Sequence, residues 1–200
     1  MKITDVKTWA VATPPPHKGG TYWIFVKLTT DNGVSGYGEV YGVPFAPRLV
    51  CNMIEDVVAR YVVGRSPFDV EAIWRLIYSA AFTQRPDLST GGVLSGIEIA
   101  CWDIIGKALG QPIYNLLGGK VNERLRSYTY LYPADTQTKA SPSEAAAAHR
   151  DADAGPVRLQ HYMDMGFTAV GYDPVMPMGS FDPRQLTLED LSLIHISEPT

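Results

Sequence analysis

Residues 93–119, VLSGIEIACWDIIGKALGQPIYNLLGG, restrict the fold more than any other part of the chain. A helix drawn through 93–109 is apolar on nearly every side, with Glu98, Asp103 and Lys107 set into it. Such a helix belongs between other layers of a large protein, not on the surface of a small one. Gly110-Gln111-Pro112 breaks it, and a short second helix follows that stops at Gly118-Gly119. Asp103 and Lys107 stand four apart and can pair, which lets both charges be tolerated near a core. Structural pairing is therefore preferred to direct catalysis for the charged residues of this helix.

Before this helix the pattern changes from strand to helix. Ile24, Val26 and Leu28 alternate with Phe25 and Lys27, and Asp31-Asn32-Gly33 then reads as a type I′ hairpin turn. Residues 34–40 make the returning strand. Leu49, Val50, Met53, Ile54, Val57, Val58, Tyr61 and Val62 recur at helical spacing, ended by Gly64. Ser66-Pro67 predicts the start of another helix, with Ser at the N-cap and Pro at the first turn. Its buried stripe is Val70, Ile73, Trp74, Ile77 and Tyr78, and residues 83–92 read as a polar loop. Strands followed by helices indicate a compact α+β domain, here residues 1–120.

Beyond Gly119 the spacing predicts a strand over 125–132, a polar alanine-rich stretch over 133–155, a short helix over 156–165 capped by Gly166, and a second strand over 167–173. Strand, helix, strand is the beginning of a parallel α/β architecture. A complete barrel takes about 250 residues, and only 75 follow Leu125. Residues 121–190 are therefore expected to be the start of an incomplete second domain. The last ten residues, LSLIHISEPT (191–200), match one reading frame of a transposon-end sequencing adapter. They are read as an artefact, so His195, Ser197 and Glu198 carry no functional weight.

Several functions are disfavoured. The chain is 19% charged with a net charge of -4, and its basic residues do not cluster, so nucleic acid is not an expected partner. No apolar run approaches the roughly 20 residues of a membrane span. The opening MKITDVKTWAV alternates like a strand and has no leader-like apolar core, which points to the cytoplasm. Cys51 and Cys101 sit in helical apolar patterns and read as buried reduced thiols. Residues 36–42, GYGEVYG, superficially resemble a dinucleotide fingerprint. Their spacing is off by one, however, and they lie within a hairpin strand instead of before a helix. His149 and His161 have no second ligand at metal spacing. Tyr128, Tyr130 and Tyr132 alternate and so share one strand face. In a barrel, Tyr132 would approach the mouth, and Tyr172 and Asp173, just before Pro174, would stand at a strand end where chemistry is placed. Packing tyrosines and a solvated strand-end Asp are the plainer alternatives.

GIEIACWDIIGKALGQPIYNLLGG resembles the signature of the mandelate racemase and muconate lactonizing enzyme family of the enolase superfamily. MKITDVKTWAV, TTDNGVSGYGEV and VVGRSPFDVEAIWRLIY support the resemblance, which spans residues 1 to about 190. Val93 and Cys101 replace the family's usual small or leucine residues. The resemblance implies an α+β capping domain followed by a (β/α) TIM-type barrel, here truncated after its first units. It also implies Mg²⁺, held by three carboxylates on later barrel strands, as the Lewis acid that stabilises an enolate while a base removes the proton α to a carboxylate. Those strands lie beyond this chain, so no metal ligand is assigned in it and the chain alone is expected to be inactive.

Racemases and cycloisomerases of the family carry Lys-x-Lys on the second barrel strand, where this chain has Gly171-Tyr172-Asp173. A one-sided mechanism suits dehydration, and the chain looks most similar to galactonate dehydratase-like acid-sugar dehydratases. That implies a small sugar acid as substrate and a homo-oligomer at full length. Tyr172 and Asp173 are then the catalytic candidates. The capping loops 13–22 and 41–45 supply His17, Lys18, Tyr22, Tyr41 and Phe45 as substrate-binding candidates, with Tyr132 from the barrel. The alternatives are a cycloisomerase or racemase of the same family, or a non-catalytic binding relative.

Overall fold

A computed structural model describes residues 1–14, 22–41, 45–79, 88–130 and 154–171. The chain divides into two units, Met1–Val121 and Asn122–Thr200.

In the first unit, β1 (Ile3–Ala12), β2 (Tyr22–Thr30) and β3 (Ser35–Val40) form an antiparallel sheet in the order β1-β2-β3. The alternation along β2 buries Ile24, Val26 and Leu28 on the inner face and leaves Phe25 and Lys27 on the outer one. The hairpin between β2 and β3 forms at the expected place but with a different turn. Thr30 N–H donates to the Val34 carbonyl and Gly33 N–H to the Thr30 carbonyl, with Gly33 at φ 85. This is a three-residue loop ending in a left-handed glycine, not a two-residue type I′ turn.

Two helices cover the inner face. The first, α1 (Pro47–Tyr61), lies against β1 and β2 and buries Val50, Ile54 and Val58. Leu49, expected in its stripe, is instead 54% exposed. The next helix, α2 (Val70–Ser79), packs on α1 and on the central helix. It buries Ile73 and Ile77, with Val70, Trp74 and Tyr78 partly covered, as the spacing predicts. It begins later than Ser66-Pro67 suggested. Ser66 caps a turn by accepting the Phe68 N–H (3.2 Å), and the Asp69 carbonyl accepts the first helical bond, from Ile73 (2.9 Å).

The central helix, α3 (Leu88–Leu109), is the one expected between layers. It starts five residues earlier than the loop reading of 83–92 allowed, while 80–87 lie outside the described residues. At 22 residues it is by length and composition alone apolar enough to cross a membrane, a property hidden while its first turn read as loop. Its packing is that of a core helix, with Val93, Leu94, Ile97, Ala100, Cys101 and Ile104 buried against the sheet, α1 and α2. Each such aliphatic side chain contributes about 1.5–3 kcal/mol on burial.

The approach of α3 to β3 is unusually close, and glycine makes it so. A methyl group built on Gly38 would overlap the Gly96 carbonyl, and one on Gly36 would overlap the Ala100 carbonyl. Gly36 and Gly38 thus serve helix–sheet packing. Gly110 (φ 63) ends α3, and α4 (Ile113–Leu116) follows and stops before Gly118 and Gly119, both at positive φ.

In the second unit, β4 (Thr129–Tyr130) pairs in parallel with β5 (Val170–Gly171), and α5 (Ala154–Asp164) precedes β5 in the chain. The ladder joins Thr129 to Val170 and Tyr130 to Gly171. Residues 125–128, expected in the first strand, are exposed and not paired as strand, with Leu125 84% exposed. Gly166 (φ 95) closes α5 through its N–H to the Met163 carbonyl. Tyr162 is buried, edge-on to Phe167. Residues 131–153 and 172–200, including the adapter-like tail, lie outside the described residues.

Candidate functional site

The antiparallel register places the start of β2 and the end of β3 at one end of the sheet, since Ile24 pairs with Val40. Tyr22 opens β2, and Tyr41 follows β3 directly. The Tyr22 ring packs against the hydrophobic core, and its hydroxyl donates to the Phe45 carbonyl at 2.9 Å. Three candidate residues, Tyr22, Tyr41 and Phe45, therefore belong to one end of the sheet, and two of them are joined directly.

Tyr41 is 66% exposed and lines a cavity of about 690 Å³ with Glu39, Leu88, Gly91, Gly92, Ser95 and Ile99. The lining sets a carboxylate and two hydroxyls over two aliphatic side chains, a surface able to hydrogen-bond a hydroxylated ligand while covering its apolar edge. Gly92 fits closely here, because a methyl built on it would overlap the Tyr41 carbonyl oxygen. Glu39, Gly92 and Ser95 were not among the residues singled out from sequence. Gly92 and Ser95 become readable as lining only once 88–92 are known to be helical, and Glu39 was considered only as part of the glycine stretch.

The charged residues of α3 have structural partners. Lys107 Nζ pairs with Asp103 Oδ2 at 2.6 Å, Asp103 Oδ2 accepts the Tyr37 backbone N–H at 2.9 Å, and Lys107 donates to the Ser35 carbonyl at 2.9 Å. The preference for pairing over catalysis at Asp103 and Lys107 is thus met by geometry. Glu98 accepts the Trp102 indole N–H at 3.4 Å. Cys101 is buried, and its thiol is pushed up to about 12, first by burial and then by the nearby Glu98 charge. Cys51 is also buried and free.

In the second unit, Tyr128 and Tyr130 stand edge to face with ring centroids 5.8 Å apart, and Gly171 lies beside both rings. His161 is exposed on the last turn of α5. Among the described residues, no three of His, Cys, Asp or Glu come together as a metal site. His17, Lys18, Tyr132, Tyr172 and Asp173 lie outside the described residues.

The N-terminal domain of mandelate racemase / muconate lactonizing enzyme matches residues 5–118, more than half of the chain. The chain belongs to that family, within the enolase superfamily. A D-galactonate dehydratase of Xanthomonas axonopodis pv. citri is 37% identical over 131 residues, 66% of this chain and 31% of its own length. A solved protein of Labrenzia alexandrii DFL-11, described as a candidate mandelate racemase/muconate lactonizing enzyme, is 49% identical with a TM-score of 0.77. That match covers 96% of this chain and 48% of the other. A solved candidate galactarate dehydratase of Agrobacterium radiobacter, with Na and L-malate bound, is 25% identical with a TM-score of 0.61, over 87% of this chain and 38% of its own. The chain thus spans about a third of the length of the curated relatives it matches. The α+β unit of the first 121 residues is the family's capping domain.

Proposed function

We propose that this chain is the capping domain and the first barrel units of a cytoplasmic acid-sugar dehydratase that acts as a homo-oligomer. The observation that carries the reading is the 37% identity to a D-galactonate dehydratase within an established family. The absence of Lys-x-Lys at 171–173, where Gly-Tyr-Asp stands, favours chemistry from one side of the α-carbon. In the reaction, a base takes the proton α to the sugar-acid carboxylate and the β-hydroxyl leaves as water with a proton from an acid. The resulting enol then tautomerises to a 2-keto-3-deoxy acid.

In this reading His17, Lys18, Tyr22, Tyr41 and Phe45 are the proposed sugar-acid-binding residues of the capping domain. Glu39 and Ser95 extend the same polar lining. Tyr132 follows β4 and Tyr172 and Asp173 follow β5, the strand ends at which a barrel places its chemistry. Tyr172 and Asp173 are the proton-transfer candidates. Mg²⁺ is proposed for the extended enzyme, where it supplies Lewis-acid stabilisation of the enolate. The residues described here do not gather a ligand set, so none is assigned to it. The 200-residue chain by itself, which spans about a third of the length of its curated relatives, is proposed to be inactive.

The test is to express the protein with its downstream coding sequence, at the length of its relatives, and screen a panel of sugar acids with Mg²⁺ for 2-keto acid release. Release from an aldonate such as galactonate is the expected result. Turnover of a lactone or an epimerised acid without 2-keto acid release would overturn it.

A further inference from the structure

We propose that Asn32 is a site of spontaneous covalent modification, where its amide is converted to a carboxylate through a cyclic imide at a rate set by the β2–β3 hairpin. The inference is independent of the dehydratase reading and concerns the other end of the sheet, where Thr29 pairs with Ser35. Of the four asparagines in the chain, Asn32 alone precedes a glycine. Gly33 has no β-carbon to hinder approach to its nitrogen, and both residues are exposed at the tip of the turn. In the reaction the Gly33 nitrogen loses its proton and bonds to the Asn32 side-chain carbonyl carbon, and Nδ2 leaves as ammonia. Water then opens the imide at one of its two carbonyls. The balance is amide plus water to acid plus ammonia, with no other reactant.

The hairpin holds this reaction back but suits one of its products. Gly33 N–H donates to the Thr30 carbonyl at 2.9 Å, so the attacking nitrogen is engaged until the turn opens. Asn32 Oδ1 accepts the Thr30 hydroxyl at 2.6 Å and the Val34 N–H at 3.4 Å, which orients the carboxamide. Nδ2 has no hydrogen-bond partner among the described residues, so no such contact opposes its departure. Both groups that meet Oδ1 are donors, and a carboxylate oxygen accepts the same two bonds. Thr30 is 3% exposed, and its hydroxyl also lies 2.7 Å from the Val34 carbonyl, so one proton serves two acceptors in turn. A carboxylate at 32 would draw that proton more strongly than the amide does. The isoaspartyl product is different. It routes the main chain through the β-carbon, adds a methylene to the loop, and would displace Gly33 from its left-handed conformation at φ 85.

The full-length protein is incubated in mildly alkaline buffer, folded and in urea, then digested and read by peptide mapping that separates asparaginyl, aspartyl and isoaspartyl forms. In the folded protein, asparagine should be lost at Asn32 ahead of Asn52, Asn115 and Asn122. In urea the loss at Asn32 should be faster by at least about twofold, the lower end for release of one net hydrogen bond. No loss at Asn32, or loss no earlier than at the other three, would overturn the site. Equal rates in the folded and unfolded protein would overturn control by the hairpin. Asn32→Asp reproduces the aspartyl product without ageing, and its Tm should stay within about 2 °C of the parent. A larger fall would overturn the fit of the carboxylate. Isoaspartyl molecules, separated by chromatography, should exchange the Thr30 and Gly33 amides about two- to tenfold faster than the parent. Unchanged exchange there would mean that the turn accepts both products, and would overturn the preference for one.

Discussion

Asp103 of α3 accepts the backbone N–H of Tyr37 at 2.9 Å, on the side of β3 that has no neighbouring strand among the described residues. Lys107, one turn further, takes the Ser35 carbonyl on the same side. A helical ion pair here does the hydrogen bonding that a fourth strand would have done.

Removing the acceptor should therefore cost stability. Asp103→Ala is expected to lose about 1–2 kcal/mol and Asp103→Asn about half of that, since the amide can still accept. Lys107→Met should cost less, because its side chain is 46% exposed and the ion-pair part is screened. Urea denaturation midpoints check the order, and an Asp103→Ala midpoint equal to that of the unaltered chain would refute it.

Two glycines of α3 should respond oppositely to alanine. Nothing stands within 4 Å of a methyl placed on Gly91, so Gly91→Ala should stabilise by about 0.5–1 kcal/mol through helix propensity. A methyl on Gly96 would overlap Val40 and meet the Glu39 carbonyl, so Gly96→Ala should destabilise by about 1–3 kcal/mol. Thermal melts of the pair separate the packing effect from the propensity effect.

Cys101 should be inert in the folded protein. With its thiol pushed up to about 12 from an ordinary 9.0, the thiolate is scarce at pH 8. Reaction with a thiol reagent should wait for unfolding. Linkage gives the sign. The folded state holds this proton more tightly, so its contribution is complete below pH 9 and is lost as pH rises from about 9 towards about 12. Cys101→Ala should flatten that part of the stability–pH curve.

Tyr41→Ala should act on binding and not on folding. The ring is 66% exposed, so Tm should move by less than about 2 °C. In the full-length protein, the KM for the accepted sugar acid should rise by roughly tenfold. A KM equal to that of the parent would remove Tyr41 from the site.

Much of the capping domain is readable where periodicity and burial agree. Ile24, Val26 and Leu28 alternate because one sheet face is covered, and Val50, Ile54 and Val58 recur because one helix face is. The Asp103–Lys107 pair is readable because its two members are four apart. Their strand partners are not, since no local pattern links a helix to an edge 66 residues away. The first turn of α3 is hidden by Ser89, Thr90, Gly91 and Gly92, poor helix formers that packing overrides. Of the site, the tyrosines at the sheet end are visible as loop residues. The lining role of Glu39 and Ser95 depends on how α3 crosses β3 and has no signature in the chain.

The clasp on β3 has a meaning for solubility as well as for folding. An open strand edge is a template on which another molecule can add its own strand. By occupying the Tyr37 N–H and the Ser35 carbonyl, Asp103 and Lys107 withdraw that template. A variant lacking the carboxylate would then present recruitable backbone, and self-assembly through β3 would become open to it while most of its core stayed folded.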